Sequence, residues 1–206
     1  MGTGQALVAA IKMENIAVFR GNRLVLQQFS LAAGAGDIIW IRGANGTGKS
    51  TLLRTIAGLL PCASGALTIG GKVAMADDNM ALDNNSSLEK ALCFWADIDG
   101  ADGKLRETAL AVMELLPLAE VPVRYLSSGQ RKRAVLSRVA ASGAAIWLLD
   151  EPYNGLDSAN VARLDAALLR HAASGGIALV AAHQPPTINV TNTITLGKIN
   201  VAKKVA

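Results

Sequence analysis

The 206-residue sequence predicts an α/β fold, and two observations support this fold class. Three short apolar runs have the length and composition of strands buried on both faces, as in a parallel sheet: residues 38–41, 144–149 and 177–182. Helical stretches alternate with these runs, at residues 51–57, 128–141 and 158–173. Strands and helices that alternate in this way indicate a parallel sheet covered by helices.

The N-terminal part of the chain has a different pattern. Residues 10–42 alternate apolar and polar side chains, with turn signals at Gly21-Asn22 and Gly34-Ala35-Gly36. This alternation predicts antiparallel strands that lead into the first core strand. Residues 66–74 read as two short strands around Gly70-Gly71, and residues 191–206 as one or two more. We therefore expect an N-terminal antiparallel β subdomain and a mixed sheet in the core.

A helical segment interrupts the predicted core. Ser87 precedes apolar residues at helical spacing and is a suitable N-cap, and residues 105–116 show the same periodicity. We expect an inserted helical subdomain of about residues 79–128. The core and the β subdomain would then occupy about residues 10–78 and 129–206, so that residues 1–206 form a single domain.

Composition narrows the function classes only moderately. The net charge of +4 is mildly basic and suits an anionic nucleotide, a membrane surface or nucleic acid without choosing among them. No apolar run approaches the roughly 20 residues of a membrane span, and no signal peptide is recognisable, so we expect residence in the cytoplasm. Neither a basic leader nor a zinc-type cysteine spacing is present, so we expect Cys62 and Cys93 to be reduced packing residues. No basic run with interleaved aromatic residues suggests nucleic acid as a partner.

One glycine-rich stretch directly after the first core strand matches the pattern G-x-x-x-x-G-K-[ST]. Its glycines allow a tight turn whose N–H groups point inward, Lys49 adds a positive charge, and Ser50 offers a hydroxyl to Mg²⁺. The strand before it and the helix after it argue against a chance turn. The sequence therefore predicts a P-loop NTPase core of the RecA-like type. The predicted ATP-binding residues are Gly43, Ala44, Asn45, Gly46, Thr47, Gly48, Lys49, Ser50 and Thr51.

Two carboxylates end the apolar strand at residues 146–149. In a P-loop enzyme the first carboxylate at such a position holds Mg²⁺, and the next polarises the water that attacks the γ-phosphate. Asp150 and Glu151 fit these two roles, and Pro152 then ends the strand. A solvated Asp-Glu pair is the alternative, which the preceding P-loop makes less attractive.

A second anion-binding segment precedes the basic helix. Leu126-Ser127-Ser128-Gly129-Gln130 places hydroxyl and N–H groups at a helix start. Here the sequence resembles the ATP-binding-cassette (ABC) ATPases, whose signature motif is LSGGQ. In that family the signature of one subunit closes over the ATP held by its partner's P-loop. The resemblance implies a head-to-tail dimer with a second ATP-binding subunit, in which Ser127, Ser128, Gly129 and Gln130 complete the partner's site.

The same resemblance implies further site residues. His183, directly after the last core strand, would contact the γ-phosphate and act in catalysis beside Glu151 and Lys49. Asp157 matches the aspartate of the D-loop, which couples the two half-sites. Phe19 is the best match for the aromatic residue that stacks on adenine, although core packing is an equal alternative.

The sequence departs from the family pattern at several positions. Ser128 replaces a glycine, Tyr153 replaces the usual Ser or Thr, and no glutamine lies between Thr51 and Gly129. Our candidate for the missing Q-loop glutamine is Asn79, a metal-site residue whose amide is one methylene shorter. The aspartates at positions 77 and 78 are alternatives.

Within the family, the chain most resembles the ATP-binding subunits of the haem exporter of cytochrome c maturation. The similarity lies in residues 88–95, 126–133, 146–152 and 183–185. It implies ATP hydrolysis with Mg²⁺, coupled to haem export through integral-membrane subunits at the cytoplasmic face of the inner membrane. The alternatives are an ABC transporter with another cargo and a soluble ABC ATPase, for example one of iron–sulphur assembly.

Overall fold

A computed structural model describes residues 9–77, 81–101, 107 and 110–197. Three N-terminal strands form an antiparallel sheet in the order β2-β1-β4: β1 (Ala10–Arg20), β2 (Arg23–Gly34) and β4 (Ser64–Gly70). Gly21, with φ of 56°, makes the tight turn between β1 and β2. The predicted antiparallel subdomain is therefore present.

Five strands form a second sheet in the order β5-β6-β7-β3-β8: β3 (Ile38–Arg42), β5 (Val73–Ala76), β6 (Ile146–Asp150), β7 (Ile177–Ala181) and β8 (Asn192–Thr195). All its neighbouring strands run parallel. We expected a mixed sheet, and this detail was wrong for the described strands. The antiparallel strands pair with one another and leave the core sheet purely parallel. The two short strands predicted in residues 66–74 accordingly belong to different sheets.

Among the described residues, four α-helices with complete bounds cover the sheets: α1 (Lys49–Ile56), α2 (Leu88–Asp99), α3 (Ser128–Ala141) and α4 (Ser158–Ala173). Short 3₁₀ turns lie at Leu116–Leu118 and Val123–Tyr125, and residues 107 and 110–112 are also helical. In the described part of the chain, no helix has both the length and the apolar character needed to cross a bilayer.

Alternate residues of the core strands divide the interior into two layers. On β6, Ile146 and Leu148 join a cluster with residues of α1 and the antiparallel sheet. Trp147 and Leu149 point the other way and pack with residues of α2, α3 and α4. This period of two is what a strand buried on both faces requires. The parallel arrangement brings the carboxyl ends of β3, β6 and β7 to one edge of the sheet, where ligands bind in such folds.

The helical segment between β5 and α3 begins with the predicted cap. The Ser87 hydroxyl accepts a hydrogen bond from the Lys90 N–H at 3.4 Å. Leu88, Ala91 and Leu92 on α2 share a buried cluster with residues of α3. This contact attaches α2 to the core. The subdomain boundaries at about residues 79 and 128 stay a prediction.

Candidate nucleotide-binding and catalytic site

The P-loop joins β3 to α1 and is shaped by its glycines. Gly48, the N-cap of α1, has φ of 107°, and a Cβ there would lie 2.7 Å from Cγ1 of Val25. A Cβ at Gly43 would lie 2.6 Å from Oγ1 of Thr47. Neither position has room for a larger residue. Helix α1 has no side-chain cap, so the N–H groups of its first turn can bind an anion.

Lys49 is 7% exposed and lies inside this loop. Its Nζ donates to the Gly43 carbonyl at 2.9 Å and lies 3.5 Å from Oε1 of Glu151. Thr47, also buried, donates through Oγ1 to the Ala44 carbonyl at 2.8 Å. These bonds hold the loop closed around the lysine and place its charge beside the predicted catalytic carboxylate.

Glu151 lies directly after β6, and its backbone N–H donates to the Ala181 carbonyl on β7 at 2.7 Å. Its φ of 46° is a conformation that residues other than glycine seldom adopt. Such strain persists only where surrounding contacts fix the backbone, and it is common at functional sites. The preceding residue, Asp150, is buried at the end of β6.

His183 meets Glu151 from the end of the neighbouring strand. The His183 N–H donates to Oε2 of Glu151 at 3.4 Å, and its Nε2 lies 3.6 Å from Oε1. The same Nε2 lies 2.7 Å from Oδ1 of Asn45 in the P-loop. The structure thus brings together Lys49, Glu151 and His183, which the sequence places far apart.

An open cleft of about 410 Å³ runs along the P-loop. Its lining contains three cationic side chains and two carboxylates, a combination that suits a polyanion bound with a metal ion. Ser50 and Asp150 supply the oxygen atoms that Mg²⁺ prefers, so the residues present fit this ion. The lining residues are Arg20, Arg23, Val25, Ala44, Asn45, Gly46, Gly48, Lys49, Ser50, Thr51, Asp150 and Glu151.

Arg20 and Arg23 were missed by the sequence analysis. They face each other across the turn between β1 and β2, where two like charges oppose each other without an ion pair to any described residue. Phe19 is 50% exposed, which argues against core packing, and it is not among the described residues that line the cleft. Because neighbouring residues of a strand point to opposite faces, Arg20 is better placed than Phe19 to contact a ligand in the cleft. The stacking role that the family resemblance implies for Phe19 stays a prediction, and the Arg20 guanidinium, which lines the cleft, is the competing candidate for that role.

The signature residues lie outside this cleft. Ser127 is the N-cap of α3, and its Oγ accepts from the Gln130 N–H at 3.2 Å. The Gln130 Oε1 accepts in return from the Ser127 N–H at 2.8 Å, which completes a capping box. A Cβ at Gly129 would lie 3.3 Å from the Gly155 carbonyl, so the start of α3 packs against the loop after β6. Ser128 is exposed beside them.

Two other predicted residues, Asp157 and Asp77, also have partners within the chain. Asp157 is the N-cap of α4 and accepts from the Asn160 N–H at 2.8 Å. Asp77 forms an ion pair with Arg54 at 3.1 Å. Asn79 lies outside the described residues, as does the aspartate at position 78.

Comparison with known proteins agrees with this geometry. The ABC transporter family profile matches residues 26–154, more than half of the chain. The chain therefore belongs to the ABC transporter family, and the predicted family and fold class are confirmed. Within that family it belongs with the cytochrome c biogenesis ATP-binding export proteins.

Two of these relatives set the level of similarity. The cytochrome c biogenesis ATP-binding export protein CcmA of Sphingopyxis alaskensis is 46% identical over 191 residues, which cover 93% of this chain and 98% of the relative. Its counterpart from Zymomonas mobilis is 50% identical over 176 residues, 85% of this chain and 79% of the relative.

Solved structures show the same fold. An ABC transporter ATP-binding protein from Pyrococcus furiosus matches with a TM-score of 0.80 at 22% identity, covering 91% of this chain and 97% of that one. An inward-facing metal-chelate type ABC transporter matches with a TM-score of 0.76 at 25% identity, covering 92% and 80%.

Proposed function

We propose that the chain hydrolyses ATP as the ATP-binding subunit of an exporter in cytochrome c biogenesis, with haem as the cargo. The observation that carries the proposal is the position of the Glu151 carboxylate. It lies between the Lys49 ammonium and the His183 imidazole, at 3.5 Å and 3.6 Å, beside a P-loop cleft with three cationic side chains. The relatives, which are named for ATP binding and export, support the same function.

The P-loop residues hold the phosphates in this proposal. The uncapped N–H groups of α1 and the Lys49 ammonium neutralise negative charge, and Ser50 and Asp150 hold Mg²⁺, with Asn79 as a further ligand. When bound, Mg²⁺ neutralises charge on the β- and γ-phosphates. Lys49 has a carbonyl and Glu151 as partners, and bound phosphates would compete with Glu151 for it.

Glu151 and His183 carry the hydrolytic step. When bound phosphates displace Glu151 from Lys49, the Glu151 carboxylate accepts a proton from the attacking water. His183 contacts the γ-phosphate. The Asn45 Oδ1 accepts a hydrogen bond from the His183 Nε2, which fixes the ring beside the P-loop. The backbone bond from Glu151 to Ala181 fixes the carboxylate relative to the same strand end. Catalysis therefore rests on the positioning of charges rather than on covalent chemistry.

The signature segment supports a dimer. Ser127 to Gln130 do not line the cleft formed by their own chain's described residues. The capping box uses groups of Ser127 and Gln130, and Ser128 is exposed between them for contact with a second ATP-binding subunit. Asp157, at the start of α4, would join the two half-sites. We further propose that the chain binds integral-membrane partner subunits and lies peripherally at the cytoplasmic face of the inner membrane. A helical subdomain of about residues 79–128 transmits the closure and release of the dimer to these subunits.

Replacement of Glu151 by Gln tests the hydrolytic role. Glu151→Gln keeps the shape and a hydrogen-bonding oxygen but cannot accept the proton, so we expect ATP hydrolysis to fall by about 10³-fold. ATP binding should be retained and the dimer trapped. Glu14→Gln makes the same change at an exposed glutamate of β1 and should hydrolyse ATP normally. Unchanged turnover in Glu151→Gln would refute this role.

The cargo requires a separate experiment. The full chain is purified from solubilised membranes, and the proteins that accompany it are identified. Haem-handling membrane subunits would support the proposal. Membrane subunits for another cargo would contradict haem export, and ribosomes or iron–sulphur scaffold proteins would contradict transport altogether.

A further inference from the structure

A buried carboxylate behind the catalytic residues has no role in the function described so far. Asp165 lies on α4 and is 4% exposed. Its Oδ1 accepts a hydrogen bond from the Tyr153 hydroxyl at 2.5 Å, and its Oδ2 accepts one from the Thr187 hydroxyl. One side chain of α4 thus connects two loops that are distant in sequence.

The chemistry of this contact favours a fixed arrangement. A buried carboxylate is costly unless hydrogen bonds replace its water, and hydroxyl donors to an ionised group make strong bonds. Burial and the neighbouring Asp165 carboxylate raise the pKa of the Tyr153 phenol, so the phenol stays protonated and continues to donate. Loss of either hydroxyl would leave the buried carboxylate short of a donor.

The two loops are those that carry the proposed catalytic pair. Tyr153 lies two residues after Glu151, and Thr187 lies four residues after His183. On the cleft side, the His183 N–H and Glu151 already contact each other at 3.4 Å. Asp165 joins the same loops at a second point. This second point of attachment lies beyond the contacts at the strand ends, so it restricts rotation of one loop against the other.

We infer that Asp165 is a positioning residue, which fixes the Glu151 and His183 loops relative to each other through the hydroxyls of Tyr153 and Thr187. The strained backbone of Glu151, with φ of 46°, needs such support from the chain that follows it. The inference rests on the proposed function, because it assumes that Glu151 and His183 act in hydrolysis. It gives a role to Tyr153, which the sequence analysis treated as a departure from the family pattern.

Removal of either hydroxyl tests the inference on the full chain with the membrane subunits that accompany it. We expect Tyr153→Phe and Thr187→Val each to lower kcat about tenfold, because small misplacements of catalytic groups cost at least this much. The KM for ATP should stay within about twofold, since none of the three bridge residues is among the described residues that line the cleft. The double variant should be no slower than either single variant, because one break already separates the loops.

Two control variants separate positioning from general destabilisation. Thr187→Ser keeps the hydroxyl and should retain kcat. Tyr125→Phe makes the same chemical change at a tyrosine that is 68% exposed, and it should leave kcat and KM unchanged. Urea unfolding of each variant shows that the chain is folded under the assay conditions.

The outcomes distinguish this inference from the proposed function. Unchanged kcat in Tyr153→Phe and Thr187→Val, with or without lower stability, would overturn the positioning role while Glu151→Gln remains inactive. Losses that multiply in the double variant would also overturn it. If instead Glu151→Gln hydrolysed ATP as fast as the unmodified chain, the proposed function would fail first.

Discussion

Helices α1 and α3 both start in segments rich in small polar residues, and the two starts are built differently. Helix α1 begins after Gly48, which has a left-handed backbone and offers no side-chain cap. Helix α3 begins at Ser127, which forms a complete capping box with Gln130. The first opens onto the cleft of its own chain, whereas none of the signature residues is among the described residues that line that cleft.

The difference shows how one chain can contribute one half to each of two ATP-binding sites. An uncapped helix start leaves N–H groups without partners, so it gains most from a bound anion. A capped start satisfies two N–H groups internally and is stable without a ligand. In our proposal, the P-loop therefore binds the chain's own nucleotide, while the preformed signature segment adds to the nucleotide of a second subunit.

The largest expected effect on ATP affinity comes from the buried charge of the first helix start. Lys49→Ala removes the ammonium that contacts Gly43 and Glu151, and it leaves Glu151 without this cation. We expect ATP affinity to fall about 100-fold, because loss of one partner of a buried charged pair costs several kcal/mol. Titration calorimetry with ATP measures the change. Lys12→Ala, at an exposed lysine on β1, is the control and should bind ATP normally.

Mixing two inactive variants tests whether the site is shared. Gly129→Asp places a carboxylate in the signature, so it should bind ATP yet hydrolyse almost none. Lys49→Ala keeps an intact signature segment but binds ATP weakly at its own P-loop. In a mixed dimer one composite site is intact, and random pairing should restore roughly a quarter of the unmodified activity if the two sites act independently. A mixture as inactive as its components would contradict the shared site.

The sequence predicted the parts of the site that depend on local pattern. The P-loop at residues 43–51 and the pair Asp150-Glu151 follow from a motif and an apolar strand, because each is read within a dozen residues. The helix bounds at residues 128–141 and 158–173 agree with the structure for the same reason. His183 required the family resemblance, since a lone histidine after a strand has no local signal.

Contacts between distant segments could not be predicted in this way. Arg20 and Arg23 enter the cleft because Val25 of the same hairpin packs against Gly48, 23 residues later in the chain. The bridge from Asp165 to Tyr153 and Thr187 depends on how α4 lies against two loops. The separation of the antiparallel strands from the core sheet was likewise not predictable. Apolar and polar alternation predicts a strand, but it does not determine which strands pair with each other.

Arg20 lies on the wall of the cleft that faces the P-loop and belongs to the hairpin of β1 and β2. Arg20→Ala removes a guanidinium that faces the P-loop, and we expect ATP affinity to fall about tenfold, because stacking of a guanidinium on an aromatic base is worth about 1–2 kcal/mol. Phe19→Ala, the neighbouring change on the opposite face of β1, should alter affinity little. Binding of inorganic tripolyphosphate should be less sensitive to Arg20→Ala than binding of ATP.

The reverse pattern in these two variants would be informative. A tenfold loss of ATP affinity in Phe19→Ala, with normal affinity in Arg20→Ala, would assign the stacking role to Phe19. It would also indicate that the β1–β2 hairpin rotates when nucleotide binds. Equal losses of ATP and tripolyphosphate in Arg20→Ala would assign the arginine to the phosphates instead of the base.

The smallest expected effect concerns the cap of the second helix start. Ser127→Ala removes the hydroxyl that accepts from the Gln130 N–H, and it should lower the free energy of unfolding by about 1 kcal/mol. Ser127→Thr keeps the cap and should keep the stability, as measured by urea unfolding. ATP affinity of the single subunit should be unchanged in both variants, because Ser127 does not line that subunit's cleft. A fall in affinity would mean that the capped helix start serves its own chain's nucleotide, contrary to the division of roles between the two.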